Sequence, residues 1–213
     1  MIEAVIFDFD GVVGDTMRDN CIAWQKSFAR YGYDLPSAEY YKMEGMGRYQ
    51  IAEHIVAGNN MDRTLVEDIV TFKEDYYKQN NTFRLYEGVE DIFGFLAAKS
   101  IPVAIVTGAS RTRITEHLDK GIAAGLAALI TADDVTHTKP HPEPYLKAVE
   151  QLKVPAGNCI VVENAILGIQ SAKAAGCQCY ALETTLGRQD LALADEVFAT
   201  HKELLTKFEA IFR

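Results

Sequence analysis

Short apolar runs recur along the chain, and between them apolar positions return at helical spacing. Ala4-Val5-Ile6-Phe7, residues 101–106, 127–131, 159–162, 179–182 and 196–198 read as buried strands. Residues 87–99 read as a helix with Val89, Ile92, Phe93 and Leu96 on one face. Further helical patterns cover residues 111–120, 143–152 (opened by Pro142 and Pro144), 167–175 (closed by Gly176) and 202–212. Strand–helix alternation of this kind predicts an α/β fold, a parallel sheet with helices on both faces.

Residues 17–81 have another texture. They are polar and aromatic, with no strong strand pattern, and Ile22, Phe28 and Ala29, Ile51 and Ile55, and Leu65, Ile69 and Phe72 recur at helical spacing. The segment reads as a small helical bundle inserted after the first strand, with hinges near residues 14–16 and 80–84. The division expected is a core of residues 1–15 and 83–213 and a helical domain of residues 16–82.

At 213 residues the chain is long enough for a full core, and 48% hydrophobic and 24% charged residues are ordinary for a globular protein. Thirty acids against 21 bases give a net charge of −9, which disfavours nucleic acid and anionic membranes as partners. No apolar run reaches bilayer length and the first strand begins near Met1, so a cytoplasmic location is expected. Cys21, Cys159, Cys177 and Cys179 read as buried, reduced cysteines. His137 and His141 read as loop histidines. No Walker A loop, G-x-G-x-x-G or G-x-S-x-G is present.

Candidate chemistry gathers at strand ends. The first strand runs into Asp8-Phe9-Asp10-Gly11-Val12-Val13-Gly14-Asp15-Thr16, two carboxylates two residues apart before a glycine turn. Such a pair offers hard oxygen ligands for a divalent cation, a nucleophile and a proton donor. The strand at 101–106 ends in Thr107-Gly108-Ala109-Ser110. Thr138-Lys139-Pro140-His141-Pro142 forms a loop displaying one lysine, and the strand at 159–162 ends in Glu163-Asn164. Parallel sheets place ligand sites beyond the carboxyl ends of their strands, where all four segments can meet. Asp15 reads as a cap for the first helix of the inserted segment, in preference to a partner for a basic group.

The ordered set DFDGVVGDT, VTGAS, TKPHPEPY and VVENAILGIQSAKAAG resembles the haloacid dehalogenase superfamily, in the branch of β-phosphoglucomutase-like and phosphoglycolate-phosphatase-like enzymes. The resemblance spans nearly the whole chain and is weakest between residues 18 and 82. It implies a Rossmann-like core with the inserted helices as a cap over the site. It further implies an Mg2+-dependent phosphatase for a small phosphorylated metabolite, and a monomer or weak homodimer. In that scheme Asp8 forms an aspartyl-phosphate and Asp10 is acid then base. Mg2+ meets Asp8, the Asp10 carbonyl and Asn164, with Glu163 behind them or bound through a water. Lys139, Thr107, Gly108 and Ala109 hold the phosphoryl group, while Glu44 and Arg48 sit in the substrate-specificity loop, where Arg48 is a candidate to hold a second phosphate or a carboxylate by bidentate contacts.

Two positions depart from the pattern. Asn164 stands where aspartate is usual, keeping an oxygen ligand but losing its charge. Asn20 stands where the mutases, and many phosphatase relatives, carry histidine, which weakens the alternative of a phosphosugar mutase. A noncatalytic phospholigand binder is disfavoured by the intact Asp8, Asp10, Thr107 and Lys139 set.

Overall fold

The computed structural model describes residues 1–118 and 120–213. Among them, six parallel strands form one sheet: β1 (Ala4–Asp8), β2 (Val103–Val106), β3 (Ala128–Ile130), β4 (Cys159–Glu163), β5 (Gln178–Leu182) and β6 (Glu196–Phe198), in the order β3-β2-β1-β4-β5-β6. The two central strands, β1 and β4, carry the Asp8 and Glu163 ends. Alternation along each strand separates two apolar layers. Val5, Phe7, Ile105 and Val162 pack against α5 (Val89–Ala98) and α10 (His201–Ile211), with Ile114 from α6 (Arg111–His117) in the same layer. Ala4, Ile6, Val106 and Val161 pack on the other face against Tyr145 and Ala148 of α8 (Glu143–Leu152) and Ile169 and Ala172 of α9 (Ile166–Ala174). The expected α/β architecture with both faces covered is therefore present.

Boundaries agree within two residues for most elements, and α8 and β6 match the expectation. The helix expected over 111–120 is instead divided: α6 ends at His117 and α7 runs Lys120–Gly125, with residue 119 outside the described residues.

Residues 17–80 form four α-helices, α1 (Met17–Ala29), α2 (Ser37–Lys42), α3 (Arg48–Gly58) and α4 (Val66–Asn80), with no strand among the described residues. They bury a core of their own around Trp24, Phe28, Tyr40, Ile51, Ile55 and Ile69. The segment leaves and rejoins the sheet side by side: Gly14 bridges Leu85, and Asp15 N–H donates to the Arg84 carbonyl at 2.9 Å. Asp15 does not cap α1, whose first turn has no side-chain cap. Its carboxylate takes the Arg84 guanidinium at 2.6 Å, tying entry and exit strands of the chain together.

Candidate active site

The carboxyl ends of β1, β2 and β4 open onto a cavity of about 70 Å³ roofed by the α1–α4 segment. At its floor lies a buried ion cluster. Lys139 Nζ donates to Asp8 Oδ1 and to Glu163 Oε1, each at 2.6 Å. Lys139 is only 2% exposed, so its loop holds the lysine inward rather than displaying it. Glu163 is spoken for on both oxygens: Oε1 also accepts from Tyr145 Oη at 2.7 Å, and Oε2 from the Asn164 and Ala165 amides at 2.9 and 3.2 Å. Glu163 thereby helps to aim Lys139 at Asp8. Burial pushes Asp8 up to about 8, against the opposing pull of Lys139 and with further help from Glu163. Burial works to lower Lys139, but Asp8 and Glu163 outweigh it and raise the ammonium.

Two close approaches fix this floor. Gly11, at φ +86, lies under Asn164, and a Cβ there would stand 2.1 Å from the Asn164 amide nitrogen. On α9, Gly168 abuts Glu163, and a Cβ would fall 1.8 Å from its Oε1. The spacing between Glu163 and Gly168 in the sequence is thus a packing requirement.

Thr107 follows β2 and is buried. Its Oγ1 accepts the Ala109 amide at 3.0 Å, so the hydroxyl proton is left to point elsewhere, while the Ala109 N–H is consumed internally instead of being offered to a phosphoryl oxygen. Gly108 borders the cavity. Asp10 is held by three groups: Thr16 Oγ1 at 2.6 Å and Asn20 Nδ2 at 3.3 Å on Oδ1, and the Arg113 guanidinium on Oδ2.

Residues with oxygen donors suited to a divalent cation also border this space, Asp8, Asp10 and Asn164 among them. Asn164 Nδ2 donates to Glu44 Oε2 at 3.1 Å and Thr185 Oγ1 at 3.0 Å, which leaves its amide oxygen for a ligand. Glu44 is 4% exposed and its Oε1 has no partner among the described residues. Burial raises the Glu44 carboxyl well above its ordinary range, with nearby Asp8 and Glu163 acting in the same direction. A buried carboxylate oxygen without a donor is costly, and a cation in the cavity relieves it. The donor set fits a hard divalent ion. Arg48 is half-buried, borders the cavity and lies 5.5 Å from the Tyr49 ring. Away from this space, exposed His137 and His141 stand beside Glu143, with His137 Nδ1 at 2.8 Å from Oε2.

The sequence reading overlooked Arg113 and Lys73. Arg113 sits in the first turn of α6, where the helix dipole disfavours a cation, and Lys73 replaces an apolar residue on the buried face of α4. Both misfits were signals that an acidic partner waits in the fold.

A family model described as haloacid dehalogenase-like hydrolase matches residues 5–182. The chain belongs to the haloacid dehalogenase-like hydrolase family. Among its relatives, validoxylamine A 7'-phosphate phosphatase of Streptomyces hygroscopicus subsp. limoneus is 30% identical over 92% of both chains. Phosphoglycolate phosphatase of Neisseria meningitidis is 28% identical over 95% of this chain and 88% of its own. A solved structure described as a putative β-phosphoglucomutase from Bacteroides vulgatus superimposes with a TM-score of 0.87 at 25% identity, covering 98% of this chain and 88% of that one. Three of the four segments line this cavity, through Asp8 and Asp10, Gly108 and Ala109, and Glu163 and Asn164, and the fourth reaches it through Lys139 on Asp8 and Glu163.

Proposed function

We propose that this protein is a phosphatase acting on a small phosphate monoester, with Asp8 as the covalent acceptor. The observation that carries the reading is the buried cluster of Asp8, Lys139 and Glu163, with both Lys139 contacts at 2.6 Å, beneath a cavity bordered by Asp10 and Gly108. Three of the comparisons above point to related chemistry: two relatives named as phosphatases and a neighbour named as a putative mutase.

An Asp8 oxygen attacks phosphorus as the ester oxygen departs with a proton from Asp10. Water then gives a proton back to Asp10 and attacks the aspartyl-phosphate, releasing phosphate and restoring Asp8. Lys139 offsets negative charge as it shifts between Asp8 and the phosphoryl oxygens, and the Thr107 hydroxyl and Gly108 amide supply hydrogen bonds. Asp8, the Asp10 carbonyl and Asn164 are the groups that would hold Mg2+, which when bound adds positive charge against two mutually repelling anions. Glu44 Oε1 contributes the anionic oxygen that Asn164 lacks. Residues 16–82 act as a cap domain over residues 1–15 and 83–213, closing the site against water.

Asn20 weighs against a phosphosugar mutase. It is committed to Asp10, to Lys73 at 2.9 Å and to Arg113 at 3.4 Å, and carries no titrating ring. The test is phosphate release from a panel of esters with Mg2+, beside Asp8→Asn. Turnover by the wild type that the variant lacks supports the reading. Isomerised sugar phosphate without free phosphate would transfer it to the mutase.

A further inference from the structure

Asp10 lies in a network of charges that its proposed proton transfers do not require. Asp10, Asn20, Lys73, Glu74 and Arg113 are joined by hydrogen bonds, and Arg48 stands close enough to Glu74 to lower its carboxyl. Within these hydrogen bonds Lys73 and Arg113 face Asp10 and Glu74, and Arg48 borders the same cavity as a third cation. Bringing these charges out of water is costly unless something pairs the surplus.

Arg113 is the member with donors to spare. Its side chain is 11% exposed, its guanidinium packs 4.9 Å from the Tyr77 ring, and its Nε is buried without a partner among the described residues. It meets Asp10 through Nη2 on Oδ2 alone, because Oδ1 is occupied by Thr16 and Asn20. A guanidinium whose only task was to neutralise Asp10 would engage both carboxylate oxygens through its planar fork.

We infer that Arg113 is a specificity-determining residue, and that the leaving group of the substrate carries a second anion, a carboxylate or phosphoryl group, which Arg113 receives. This rests on the phosphatase reading of the same site. Since Asp10 serves the ester oxygen and Arg113 touches Asp10, the second anion lies within a few bonds of the scissile oxygen. A cavity of about 70 Å³ suits such a compact leaving group, with room for only a handful of water-sized groups.

The test measures kcat/KM of the Mg2+-loaded protein for 2-phosphoglycolate, inorganic pyrophosphate and the uncharged analogue 2-hydroxyethyl phosphate. The two anionic compounds distinguish a carboxylate from a phosphoryl partner. The wild type is expected to favour at least one of them over the analogue by about tenfold or more. Arg113→Ala is expected to remove most of that preference, a cut of about tenfold, mainly through KM, with Arg113→Lys retaining part of it. Two results overturn the inference: no anionic preference in the wild type, which needs no variant to fold, or a proportional loss on all three compounds in Arg113→Ala, the mark of a residue that only steadies Asp10. No phosphate release from any ester in a broad panel would instead remove the phosphatase reading, and this inference with it.

Discussion

Lys139 shows how far a residue's environment can depart from its type. Lysine normally sits in water, yet here it is 2% exposed between two carboxylates. Removing the cation while leaving both acids buried is the expensive half of this pair, so Lys139→Met should destabilise the fold by about 3–5 kcal/mol in urea unfolding. Asp8→Asn should leave stability unchanged or improved, since it relieves one of two acids that repel each other, while turnover falls below detection. Equal destabilisation by both variants would show that the cluster is not governed by charge. Asn164→Asp should tighten Mg2+ in titration calorimetry by about tenfold, because a carboxylate replaces an amide at a hard-cation site. Weaker binding would displace Asn164 from the ligand set. Asp8, Asp10, Thr107 and Lys139 were legible because their types recur in order at strand ends. Arg113 was not, because its partner Asp10 lies 103 residues away, and Lys73, although it pairs with adjacent Glu74, was not because Asn20, its link to Asp10, lies 53 residues away. Asp15 pairs with Arg84, 69 residues away, instead of capping α1, and the Ala109 amide is taken by Thr107, two residues before it.

The strands could be read because burial on both sides makes parallel strands continuous apolar runs. The break between α6 and α7 could not, since Leu118 and Ile122 keep the apolar spacing across it. One element does more than pack. α10 begins with His201, whose Nε2 lies 2.7 Å from the Val12 carbonyl, so a C-terminal helix braces the loop that carries Asp10. Burial lowers the His201 imidazole below its ordinary value of 6.5, against the hydrogen bond to Val12, which raises it. The folded state thus binds a proton less readily than the unfolded chain. Its stability is full above about pH 6.5 and declines as pH falls through the lowered folded value. His117, depressed by burial and by Arg113, adds to the same slope. Asp8 and Glu44, whose carboxyls are raised, slope the other way over the same range, so the histidine's share is read as a difference: the wild type should lose melting temperature relative to His201→Gln between pH 7.5 and 5.5. An unchanged slope in the variant would assign the loss elsewhere.

Across the molecule, contacts between the helical segment and the sheet domain gather at the site. Glu44 meets Asn164 and Thr185, and the Gly47 amide and Gln50 side chain meet Thr138 beside Lys139. If the helical segment is a cap, as proposed, a ligand that draws Glu44 and Asn164 together favours its closure. Mg2+ with a phosphate analogue should slow proteolysis at residues 80–84 several-fold, and Glu44→Gln should abolish most of that protection. Protection that persists in the variant would separate closure from Glu44. The central claim is tested most directly by quenching the Mg2+-loaded enzyme in acid within milliseconds of mixing with a substrate found in the panel, then locating any phosphoryl group by peptide mass mapping. A phosphoryl adduct on the peptide containing Asp8, absent from Asp8→Asn, is the expected result. Phosphate release that continues in Asp8→Asn, or an adduct on another residue, would contradict it.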